Sequence, residues 1–176
     1  GESGTSIFDP VLCEIAYRWF SPEHGIVLDP FAGGSVRGIV ASKLNRQYVG
    51  HELRQEQVTA NKTQGAEICI EDAHPPAWIC GDSRNIDKTC TDIEADMVFS
   101  CPPYADLEVY SEMKDDLSTM EYNEFIKVYS EIIKKAGTII WSGPLGQYEI
   151  KDWEQGTKVI AQAVVESTGF KIIGGG

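Results

Sequence analysis

No run of apolar residues in this 176-residue chain approaches the roughly 20 needed to cross a bilayer, so a helical membrane protein is not expected. The N-terminus lacks the pattern of a signal peptide, and Gly1-Glu2-Ser3-Gly4 reads as a linker or cloning scar. Cations are scarce: 15 Lys and Arg face 27 Asp and Glu, a formal charge of −12. Neutralising phosphates takes clustered cations, so charge argues against a chain that grips nucleic acid unaided. Metal ligands are sparse as well. The cysteines at 13, 69, 80, 90 and 101 form no C-x-x-C pair, and the histidines at 24, 51 and 74 are scattered. A zinc site needs about four converging ligands, so no metal is expected. The odd thiol count reads as free cysteines in a reducing cytoplasm. No repeat or low-complexity tract is present.

What the sequence does contain is enough apolar residue, 42%, for one core, and we read residues 1–176 as a single α/β domain. Ile7 to Phe20 carries Ile7, Val11, Leu12, Ile15, Ala16 and Trp19 at helical spacing, with Asp9-Pro10 as cap and first turn. Short apolar strands follow at 26–28, 48–50, 78–80, 97–99, 138–141 and 170–173. Helices are expected at 36–44, 55–64, 120–135 and 157–167, with an irregular loop from Gly65 to Pro76. Buried strands alternating with helices imply a mostly parallel sheet with helices on both faces.

Open sheets of this kind bind ligands at the carboxyl ends of their strands. After the first strand stands Asp29-Pro30-Phe31-Ala32-Gly33-Gly34, after the second Glu52, after the third Asp82, and after the fourth Cys101-Pro102-Pro103-Tyr104. Glycines 33 and 34 allow backbone to approach a ligand. An acid some 20 residues past such a turn suits a ribose diol. The turn has no P-loop lysine, which disfavours a triphosphate.

In this order, and with Phe8-Asp9-Pro10 ahead of it, the set resembles the DNA amino-methyltransferases over roughly residues 6–136. That resemblance implies a Rossmann-like sheet and S-adenosylmethionine (SAM) as cofactor, with adenine N6 or cytosine N4 as methyl acceptor. Phe8 and Asp9 look like the element at the methionine end of SAM. Asp29, Phe31 and Gly33 look like the turn beneath it, Glu52 like the ribose ligand and Asp82 like the adenine-side residue. Cys101, Pro102, Pro103 and Tyr104 look like the catalytic loop. There a flipped-out base stacks on an aromatic ring while its amine hydrogen-bonds to the first loop residue and a prolyl carbonyl. The family usually has Asp or Ser where this sequence has Cys101, a weaker acceptor. Two other readings of Cys101 are a thiolate attacking cytosine C6 and a small buried residue at a strand end.

From Gly137 the resemblance changes. Thr138 to Gly146, Gly156-Thr157-Lys158 and Ile172 to Gly176 resemble the late strand–helix–strand unit of phosphoglycerate kinase. In that family the triple glycine leads into a nucleotide-binding helix. A basic DNA-recognition region is not visible, and residues 106–124 hold seven acids and one lysine, which would repel phosphates. We therefore expect a chimera joined near 135–137, its C-terminal βαβ unit completing the sheet. DNA would be a weak or lost partner, and an exposed sheet edge a route to a homodimer. Kinase activity is not expected.

Overall fold

The computed structural model describes residues 8–101, 120–134, 138–142 and 155–174. Asp9 opens the first helix, α1 (Pro10–Phe20), its carboxylate accepting the backbone N–H groups of Val11 at 2.8 Å and Leu12 at 3.4 Å. This is the expected cap with proline in the first turn. The buried face of α1 is Cys13, Ala16 and Tyr17, whereas Val11, Leu12, Ile15 and Trp19 are exposed. Of the apolar stripe marked by spacing, Ala16 alone among the described residues meets the core. The small side chains allow close approach to α2 (Val36–Lys43), and the Tyr17 hydroxyl donates to the Arg37 carbonyl at 3.0 Å.

Four strands, β1 (Ile26–Asp29), β2 (Gln47–Glu52), β3 (Ala77–Cys80) and β4 (Met97–Val98), pair in the order β3-β2-β1-β4, every neighbour parallel. All four carboxyl ends therefore face one edge. Helix α3 (Gln55–Ile68) runs four residues past Gln64, so the irregular stretch begins later than the sequence implies. Gly65 sits inside it because Trp78 packs there: a Cβ would lie 2.8 Å from the indole. A 3-10 turn (Ser83–Asn85) and the short helix α4 (Ile86–Thr89) join β3 to β4.

The C-terminal elements are α5 (Tyr122–Lys134), β5 (Thr138–Ser142), α6 (Gln155–Glu166) and β6 (Phe170–Gly174). Strands β5 and β6 pair in parallel as a two-stranded ladder of their own. Their core holds Phe125, Ile126, Ile133, Ile139, Ile160, Ala163 and Val164, and Phe31 and Val98 pack against it. The βαβ unit thereby packs on the β4 side of the sheet, as a ladder of its own rather than as the added strands expected to complete it. Burying apolar side chains there contributes roughly 1.5–3 kcal/mol each.

Candidate active site

Asp29 ends β1 fully buried, and both of its oxygens are engaged. Oδ1 accepts from the Phe31 N–H at 3.1 Å and the Ser100 hydroxyl at 2.6 Å. Oδ2 accepts from Arg37 Nε at 2.6 Å and the Tyr48 hydroxyl at 2.6 Å. Arg37 also donates to the carbonyls of Phe31 and Ala32 at 2.7 and 3.0 Å. Burial works against the guanidinium charge, but the charge and hydrogen bond of Asp29, with Tyr48 and Tyr17, together outweigh it and push the Arg37 pKa up. Burial and then Asp29 raise Tyr48 well above the ordinary phenol range. The acceptor positions of Asp29 are filled from within the chain, so it shapes the turn.

The clasp extends to the other predicted residues. The Arg37 guanidinium carbon lies 4.7 Å from the centre of the Phe8 ring, and Phe8 meets Phe99 edge-on at 5.6 Å. Phe8 therefore packs over the pair that fixes the turn, and Asp9 serves as the helix cap. Phe31 points its ring toward Tyr129 of α5, at 6.5 Å and edge-on.

Beyond Phe31 the turn is open. Gly33 has φ +51°, which disfavours any side chain, and among the described residues a Cβ built on Gly33 or Gly34 meets nothing within 4 Å. Asn61 of α3 donates to the Gly33 carbonyl at 2.7 Å and holds the turn from behind. Neighbouring loops are tied to it: the Ala32 N–H donates to the His51 carbonyl at 2.7 Å, and the Ser83 hydroxyl donates to the Pro30 carbonyl.

The two rim acids differ. Glu52 takes the backbone N–H of Arg54 at 2.9 Å and its Nε at 3.3 Å, both on Oε1; Oε2 receives no hydrogen bond among the described residues. Asp82 is committed on both oxygens to Arg84, whose backbone N–H reaches Oδ1 at 2.9 Å and whose Nε reaches Oδ2 at 2.7 Å. An adenine contact through Asp82 would have to compete with that pair. Cys101 follows β4 on the same edge and is exposed. Pro102, Pro103 and Tyr104 lie outside the described residues.

Spacing gave no signal for Arg37, Tyr48 or Ser100. Nor did it show that His24 and His74, read as scattered, come together, with His24 Nδ1 and His74 Nε2 3.0 Å apart. The loops before β1 and β3 bring them to one place.

The strand order, the parallel sense and the glycine turn define a Rossmann-like α/β sheet. The model of the DNA methylase family matches residues 13–63. Over residues 89–176, half of its length, the chain belongs to the phosphoglycerate kinase family. That match begins upstream of 137 and takes in α5. Two segments of one chain thus match the models of two families. Among solved structures, the chain resembles TrmN from Thermus thermophilus (14% identity, 74% of this chain and 35% of that one, TM-score 0.54). It is also similar to a TehB-like SAM-dependent methyltransferase from Corynebacterium glutamicum ATCC 13032 Kitasato (14% identity, 74% of each chain, TM-score 0.44). A third is phosphoglycerate kinase from Coxiella burnetii (18% identity, 94% of this chain and 47% of that one, TM-score 0.33). The chain spans about a third of the length of TrmN.

Proposed function

We propose that this chain contains the SAM-binding core of a DNA amino-methyltransferase, directed at cytosine N4 or adenine N6, whose DNA methylation is weak or lost. The observation that supports it most is that, among the described residues, the Gly33-Gly34 turn has an open face on the same strand-end edge as Glu52, which keeps one carboxylate oxygen uncommitted. These features fit an adenosyl ligand: the glycines leave room for it, and Oε2 can accept a ribose hydroxyl. When bound, SAM supplies an electrophilic sulfonium methyl. In this reading Asp29, Arg37 and Phe8 keep the turn in shape, and Asp82 edges the adenine side.

Cys101-Pro102-Pro103-Tyr104 would hold the target base, Tyr104 by stacking. Cys101 and the Pro102 carbonyl would accept hydrogen bonds from the amine, so that its lone pair faces the methyl group. Such catalysis works by positioning. A thiol at the first position accepts hydrogen bonds poorly, which accords with low activity, as does the excess of acids over cations. Five free cysteines accord with a cytoplasmic location.

Incubating the folded chain with radiolabelled SAM and duplex DNA tests this. Retained SAM with little label in DNA is the expected result; no retention of SAM by folded protein overturns the reading. The kinase-family match over half the chain favours a second reading, a non-catalytic chimeric fold. Cooperative unfolding together with no SAM retention would select it.

A further inference from the structure

The edge of the sheet opposite the glycine turn carries a feature unrelated to methyl transfer. His24 lies just before β1 and His74 just before β3, so the parallel strands bring both to the amino-terminal edge. Their rings meet side on to end on, with His24 Nδ1 and His74 Nε2 3.0 Å apart, centroids 5.3 Å apart and planes at 76°. His24 is held in the left-handed region at φ 64°. Its N–H donates to the Asn45 carbonyl at 2.7 Å, and its own carbonyl accepts from Gln47 Nε2 at 3.1 Å. His74 is followed by Pro75-Pro76, which restrict its backbone. His24 is exposed and His74 half-buried.

We propose that His24 and His74 form a two-imidazole site for a borderline divalent transition-metal ion such as Ni²⁺ or Zn²⁺, with water in the remaining positions. Cis on a six-coordinate Ni²⁺ two imidazole centroids lie about 4.6 Å apart, and on one tetrahedral Zn²⁺, with metal–nitrogen bonds of about 2.1 Å, about 5.3 Å. The rings already stand at the second separation. Tilting them about their own centres turns the two nitrogens from facing each other to facing a shared ion. The exposed hydrogen bond they give up is worth little against water, imidazole is a favoured ligand for these metals, and a net charge of −12 draws cations to the surface.

Calorimetric titration of the full chain with NiCl₂, alongside NMR of the histidine ring protons, tests the site. One ion should bind, broadening the His24 and His74 ring signals before that of His51. His24→Asn, which tolerates a positive φ, and His74→Gln should each weaken binding at least tenfold with the melting temperature unchanged. Wild-type affinity retained in both variants would assign the metal to the exposed thiols of Cys80 and Cys101 and overturn the proposal. So would absence of binding by the wild type.

Discussion

Asp29 and Arg37 meet at 2.6 Å with both side chains withdrawn from solvent. An ion pair in such a place is costly to assemble and worse to break, because removing one partner strands the other charge. Here the remaining donors and acceptors are also used, by Tyr48, Ser100 and the Phe31 and Ala32 carbonyls. Asp29→Ala and Arg37→Ala should each cost about 3–5 kcal/mol of stability. The double variant should lose less than the sum. Urea denaturation of the four proteins measures this, and strict additivity would show that the pair is not coupled.

Glu52 should behave in the opposite way. Among the described residues its carboxylate takes hydrogen bonds from Arg54 alone, so Glu52→Gln should shift stability by less than about 1 kcal/mol. If Oε2 receives a ribose hydroxyl, the same change should weaken SAM binding by about 1–3 kcal/mol. Calorimetry beside a melting curve separates the two effects. A large fall in melting temperature without loss of affinity would make Glu52 structural.

The glycine turn supplies a sharper contrast. Gly34 has open space where its Cβ would be and no positive φ, whereas Gly33 sits at +51°. Gly33→Ala should destabilise the fold by about 1–2 kcal/mol through backbone strain. Gly34→Ala should leave stability unchanged or slightly raised, while its methyl enters the proposed ligand space and lowers SAM affinity about tenfold. Melting curves and titrations of both variants decide this. Undiminished affinity in Gly34→Ala would move the ligand away from the turn.

Acid should weaken the protein through His51. Burial lowers its pKa from the ordinary 6.5, outweighing the Gly81 backbone and Asp82, which act the other way. The unfolded chain then takes up the proton first, so it binds more protons below about pH 6.5. Stability therefore falls as pH drops from 7 through 6 toward the lowered folded value. Urea midpoints across that range should decline in the wild type and less in His51→Gln. Parallel profiles would remove His51 as the cause.

What the sequence made legible was local. Asp9 with Pro10 marks a helix start, and short apolar runs mark β1 to β4, because capping and burial leave their signs within a few residues. The order of the strand-end residues also led to the right sheet. The clasp was hidden because its members are joined only by the fold: Arg37 lies 8 residues from Asp29, Tyr48 lies 19 and Ser100 lies 71. Spacing caught only Ala16 of the buried face of α1, since helical periodicity is read from large apolar side chains, whereas the core takes Cys13, Ala16 and Tyr17. The histidine pair, 50 residues apart, needed the parallel register of β1 to β3 to become visible.

Isothermal titration of the intact, folded chain with SAM tests the central claim most directly. The account predicts one cofactor per chain, with affinity reduced in Glu52→Gln and Gly34→Ala. A folded sample that gives no binding heat at any temperature tried would contradict it.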